Sequence, residues 1–240
     1  MNYEKYIIFL RKNNYSKNTI TTYENILKKY AIYFHNISLL KKQIKKYFEV
    51  PNTAWTHYNV ICSYMKWSND KRLNKMKELK LPKIPKKYME VFTKEYLYSK
   101  TEVNSFDDEI TRQKKITLRF LFETGLRASE LFTVEYINEQ YIRVLGKGNK
   151  IRDVLHNNYT TIKMKPFLYT TKTLRLWVKE ILGKEFTPHS IRRSFATHML
   201  IKGANPKMVM SQLGHEKIET TFRYLNLSLE ENWKIYSSYL

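Results

Sequence analysis

His189-Ser190-Ile191-Arg192-Arg193-Ser194-Phe195-Ala196-Thr197-His198 follows Pro188 directly and reads as the opening turns of a helix over residues 188–202. Proline suits the first helical position, where its missing N–H would have had no partner. The three-residue spacing puts the His189 imidazole and the Arg192 guanidinium on one helical face. Arginine is scarce in this chain, 11 residues against 32 lysines, so an arginine in such a setting stands out from the basic background. Arg193, turned elsewhere by helical geometry, reads as a phosphate or partner contact.

Working outward, the next helix is expected over 206–213 and ends in Leu213-Gly214-His215. Thr220-Thr221-Phe222-Arg223-Tyr224 comes fewer than ten residues later, and a Ser228/Glu231 capping box announces a last helix over 229–239. Arg223, beside Tyr224, reads like Arg193 as a phosphate or partner contact. Toward the N-terminus lie a helix over 171–182 and a weakly patterned stretch over 156–169. Before them, two apolar runs at 141–145 and 151–155 flank Gly146-Lys147-Gly148-Asn149-Lys150, a β-hairpin with Lys147 at its tip. An apolar helix over 107–123, built on Ile110, Ile116, Leu118, Phe120, Leu121 and Phe122, runs into Thr124-Gly125-Leu126-Arg127-Ala128-Ser129-Glu130-Leu131. There a glycine turn would aim Arg127 across the domain.

The first 70 residues read as helices over 3–12, 17–34 with Ser16 as N-cap, 39–48 opened by Ser38, and 53–68 after Pro51. Ile20, Tyr23, Ile26, Leu27, Tyr30 and Phe34 recur at helical spacing as one buried stripe. Residues 69–88 break the pattern with eight basic residues around Pro82 and Pro85 and read as an extended, charged linker. The division expected is a helical domain over 1–70, a basic linker over 71–88 and a second domain over 89–240.

Composition narrows the class of function. The 240 residues are 42% hydrophobic and 15% aromatic, enough to bury a core. Apolar runs are far shorter than the roughly 20 residues of a membrane helix, and no signal-peptide pattern opens the chain, so a soluble, intracellular protein is expected. Cys62 is the only cysteine, which excludes an internal disulfide and a thiolate metal cluster. A formal charge of +21 draws phosphate polyanions. Residues 1–88 hold 19 basic and 5 acidic side chains, so two thirds of the excess sits in the first third of the chain. Part of it follows from a Lys, Asn, Ile and Tyr bias of the kind A+T-rich coding produces.

Each of these residues taken alone has a plainer explanation, and one tyrosine among 19 is more often core or surface than nucleophile. Together, two arginines, two histidines, a tip lysine and a tyrosine suit phosphoryl transfer without a metal. Arginine supplies a permanent charge and a planar fork for phosphate oxygens. Histidine exchanges protons near neutrality, lysine can hand one to a departing alkoxide, and tyrosine can become a covalent nucleophile.

TGLRASEL, HSIRRSFATH and LGHEKIETTFRY, in this order and at these separations, resemble the signature boxes of the tyrosine recombinase (phage integrase, Xer-like) family. GKGNK resembles its hairpin lysine motif, and SKNTITTYENILKKYAIYF the opening of its core-binding domain. The resemblance implies a mainly α fold with a small β-sheet, arranged as a two-domain DNA clamp. It implies Arg127 as the first catalytic arginine, His189 and Arg192 as a His-x-x-Arg pair, and His215 as the second histidine. Tyr224 would form a 3′-phosphotyrosyl bond, Lys147 would act as general acid toward the 5′ oxygen, His189 would help take up the phenol proton, and Glu130 would brace the site. Double-stranded DNA is the implied partner, held by a homotetramer on two synapsed duplexes and by a monomer or weak oligomer when free. No cofactor, metal or membrane is implied, and the location is the cytoplasm, on the nucleoid. A type IB topoisomerase-like relaxing enzyme and a non-catalytic DNA-binding accessory protein are the competing readings. Only 41 residues separate Lys147 from His189, short for the family, so a helix after the hairpin is expected to be missing and residues 156–169 to be irregular or to pack differently.

Overall fold

The computed structural model describes residues 3–85, 91–146, 148, 150–215 and 237. The chain forms two compact units, Met1–Lys87 and Tyr88–Leu240.

The first unit is helical: α1 (Tyr3–Lys12), α2 (Lys17–Tyr30), α3 (Ile37–Lys45), α4 (Pro51–Trp67) and α5 (Leu73–Lys77). Ser16 caps α2 by accepting from the Thr19 N–H, and a 3₁₀ turn, Ala31–Tyr33, tightens its end. Ile26, Leu27, Tyr30 and Phe34 of the expected stripe are buried, with Ile20 and Tyr23 packed at its margin. The cap of α3 is Asn36, not Ser38: its Oδ1 accepts from the N–H groups of both Ser38 and Leu39. The amide side chain thus satisfies two of the donors a helix start leaves open. Residues 69–85 are not the extended tether expected. Met76 and Leu79 are buried in the core of this unit, Arg72 donates to the Phe34 carbonyl, and the Trp55 indole N–H donates to Pro82 O. Burying a Met or Leu side chain contributes about 1.5–3 kcal/mol, enough to fold a lysine-rich segment onto its neighbours.

The second unit comprises α6 (Lys94–Lys100), α7 (Glu109–Thr124), β1 (Glu135–Tyr136), β2 (Tyr141–Leu145), β3 (Ile151–Leu155), α8 (Asn158–Lys163), α9 (Thr171–Ile181), α10 (Pro188–Ile201) and α11 (Pro206–Leu213). Asp108 caps α7, whose inner face carries Leu118, Phe120, Leu121 and Phe122, while Ile110 is exposed rather than core. The hairpin has the expected strands, antiparallel with Ile142 opposite Val154 and Val144 opposite Arg152, and β1 adds a short third strand beside β2. The weakly patterned stretch contains α8, capped by Asn157. At the centre stands α10, with Pro188 in its first turn, a reciprocal Thr187/Ser190 capping box, and ten of its 14 residues buried. It packs against α6, α7, α9 and α11. Gln212 ties three elements together by donating to the Thr124 and Leu155 carbonyls and accepting from the Leu155 N–H. The helix expected over 229–239 lies outside the described residues apart from helical Ser237. Among the described residues, no helix is long and apolar enough to cross a membrane.

Candidate active site

Two left-handed glycines organise the site. Gly125 ends α7 at φ +65°, and a Cβ there would stand 2.6 Å from the Phe195 ring, so both conformation and packing require glycine. Gly214 ends α11 in the same way at φ +61°. The first turn launches Arg127 and the second launches His215.

Arg192, only 2% exposed, spans the two turns: Nη1 donates 2.7 Å to Gly125 O, and Nη2 donates to Leu213 O. Nη2 also lies 3.0 Å from His215 Nε2. A guanidinium has only donors, so Nε2 is the acceptor and a neutral His215 carries its proton on Nδ1. Arg127 reaches the same helix end from the other side, its Nη2 donating 3.0 Å to Gly214 O. Its remaining fixed points come from buried Glu130, whose Oε1 accepts from Arg127 Nη1 at 2.8 Å and whose Oε2 accepts the Arg127 backbone N–H at 2.7 Å. The two guanidiniums are therefore held on the carbonyls of consecutive residues, Leu213 and Gly214.

His189 opens α10 at the accessible rim of this cluster. The protein packed around its ring, then the charges of Arg193, Arg192 and Arg127, lower its pKa from 6.5. His215 is lowered to about 4, first by burial and then by Arg192, Arg127, His189 and Arg152. Both imidazoles are thus held neutral at pH 7, and Arg192 and Arg127 act on both of them. A cleft of about 770 Å³ opens over Arg127, His189 and Arg192, and α9 lines its far wall with Lys172, Arg175 and Lys179.

The structure brings together Arg127, His189, Arg192, His215 and the bracing Glu130. Lys147, Tyr224 and Arg223 lie outside the described residues, although the strands on either side of the Lys147 turn are closed by Gly146 N–H donating to Lys150 O. Arg193, expected as a phosphate or partner contact, is buried, 7% exposed, and its charge helps lower the His189 pKa. Sequence reasoning missed Arg152, whose Nη2 donates 2.8 Å to Glu130 Oε2. Burial lowers the Arg152 pKa, and Glu130 opposes that shift.

A model of the phage integrase family matches residues 169–231. The tyrosine recombinase XerD of Staphylococcus aureus is 28% identical over 286 aligned positions, covering 98% of this chain and 97% of that protein. Tyrosine recombinase XerC of Staphylococcus epidermidis is 27% identical over 195 positions, 68% of this chain and 66% of that relative's length. The fold is similar to that of the XerH site-specific recombinase solved on its palindromic difH substrate after cleavage, with a TM-score of 0.68, 19% identity and coverage of 98% of this chain and 83% of that one.

Proposed function

As this chain belongs to the phage integrase, or tyrosine recombinase, family, we propose that it is a site-specific DNA recombinase that cuts and rejoins strands through a 3′-phosphotyrosyl intermediate. The observation that carries the reading is the pair of guanidiniums anchored on adjacent carbonyls beside two neutral imidazoles. In the proposed cleavage step, the Tyr224 phenolate oxygen attacks phosphorus and the bond from phosphorus to O5′ breaks. The phenol proton passes to His189, held neutral and so able to accept it. Lys147 protonates the departing O5′. Arg127 and Arg192 face the non-bridging oxygens, where charge grows in the pentacoordinate transition state. They are already fixed by carbonyls and Glu130, so little reorganisation is needed as that charge develops. His215 keeps Arg192 turned toward the phosphate. Religation by a 5′-hydroxyl reverses each transfer, which conserves the phosphodiester without metal or nucleotide.

Lysines and arginines of the first unit and, in the second unit, of α9 would contact the phosphates of duplex DNA. Four protomers would synapse two duplexes, each protomer being monomeric or weakly associated when free. The place of action is the cytoplasm, on the nucleoid.

The test is a suicide substrate, nicked so that the short fragment carrying the freed 5′-hydroxyl diffuses away after cleavage. Wild-type protein is expected to accumulate a complex that survives denaturant, with the DNA 3′ end on the peptide containing Tyr224. Tight binding with no adduct would overturn the assignment in favour of an accessory DNA-binding protein. Relaxation of supercoils without sequence preference would favour a topoisomerase.

The depressed imidazoles carry a further expectation. His215 titrates at about 4 when folded and near 6.5 when unfolded. Below 6.5 the unfolded chain therefore binds the proton first, and stability decreases as pH is lowered. The contribution of this group is complete above 6.5 and is lost as pH descends toward about 4. Thermal melts between those limits should show Tm rising with pH, and the slope should shrink in His215→Gln. An unchanged slope would show that the imidazole is not held neutral.

A further inference from the structure

The buried carboxylate of Glu130 holds two guanidiniums. Arg152 stands on β3 opposite Val144, on the side of the hairpin that faces the core. Its Nη2 meets Glu130 Oε2, while its Nε and Nη1 are shut off from solvent and have no hydrogen-bond partner among the described residues. A buried cation with two unmatched nitrogens is a poor stabiliser, since a methionine of similar length would fill the space without desolvating charge. The reason for a guanidinium here lies in what it touches. Glu130 Oε2 also receives the Arg127 backbone N–H, and Oε1 receives Arg127 Nη1. Gly214, whose carbonyl accepts from Arg127, lies against Arg152 so closely that a Cβ would come 2.5 Å from Arg152 Nε. A Cβ on Gly146, the residue before Lys147, would stand 3.4 Å from Glu130 Oε1. Arg152 is thus wedged between the hairpin and both groups that aim Arg127.

We propose that Arg152 is a positioning residue for DNA cleavage: through Glu130 it fixes the strands flanking the 146–150 turn relative to Arg127, so that the lysine of that turn and the arginine address one phosphate in register. Its Nε and Nη1 are enclosed and its Nη2 is held on Glu130. The inference rests on the proposed function, in which Lys147 protonates the leaving oxygen.

The experiment is single-turnover cleavage by the full chain on two suicide substrates, identical except that one carries sulfur in place of the bridging 5′ oxygen. A thiolate departs without a proton, so that substrate does not need the general acid. Arg152→Met is expected to cleave the oxygen substrate about 100-fold more slowly, the order of loss caused by a misplacement of about 1 Å. On the sulfur substrate it should recover to within about fivefold of wild type, with the Kd for DNA changed by less than about threefold. Arg152→Lys, which keeps the charge without the fork, should show a smaller oxygen deficit and the same recovery. It also serves as the test should the methionine variant fail to fold. Equal deficits on both substrates, or no deficit on either, would overturn the coupling to the hairpin. Lys147→Ala calibrates the assay: if sulfur does not rescue it, the general acid assignment falls and the coupling falls with it.

Discussion

Replacing Tyr224 by phenylalanine is expected to remove every covalent protein–DNA adduct from a suicide substrate and to leave DNA binding close to wild type. The substitution deletes one oxygen, the atom that would bond to phosphorus. A phenyl ring carries nothing that can form that bond, so the loss should reach about 10⁴-fold or more, the scale seen when a covalent nucleophile is removed. Binding tells a different story because phosphate contacts spread over two basic units dominate it, and a single phenol hydroxyl contributes only about 1 kcal/mol. Denaturing gels and filter binding on the same DNA read the two quantities separately. Adducts persisting in Tyr224→Phe would put the nucleophile elsewhere.

Arg192→Lys should cost nearly as much for a different reason. Arg192 uses two terminal nitrogens to join the end of α7 to the end of α11 and to fix the His215 ring. Lysine brings one nitrogen on a flexible stem and cannot span Gly125 O and Leu213 O together. Cleavage is expected to fall about 10³-fold, the upper range for losing a pre-aligned donor to developing charge. The site is buried, so an acceptor left without its donor also costs about 1–3 kcal/mol of stability. A single-turnover rate and a denaturant melt on one preparation separate the two effects. A lysine variant with near wild-type cleavage would show that the fork is dispensable, and the site would have to be rebuilt around Arg127 alone.

Much of the fold could be read from local pattern. The hairpin, α9, α10 and α11 emerged near their observed positions because glycines, prolines and caps punctuate them sharply. The start of α3 was misplaced because Ser38 and Asn36 are both good caps, and only the geometry of the chain selects the residue that reaches two N–H groups at once. The segment over 69–85 looked like a tether because its lysines mask the apolar phase of Met76 and Leu79. Nothing local announced β1, a two-residue strand that exists only by pairing with β2.

At the site, Arg127, His189, Arg192 and His215 stood out because each sits beside a turn or helix start that interrupts the lysine-rich background. Arg152 had a weaker signal that was readable nonetheless: in Ile151–Leu155 it falls in phase with Val154, on the face that an amphipathic strand turns inward. An arginine on a core face, in a chain with 11 arginines, asks for a buried acid. For Arg193, helix geometry gives a direction but not what lies in it, and here that is the protein interior.

The anchors of the paired arginines include the carbonyls of Gly125, Leu213 and Gly214, and a carbonyl belongs to the main chain whatever residue bears it. Nucleotide drift toward adenine and thymine, which exchanges surface residues for lysine and asparagine, cannot alter such an anchor by changing a side chain. It can do so only by displacing a helix end. Those three anchors therefore depend on the two glycine turns keeping their conformation rather than on the residue types that surround them.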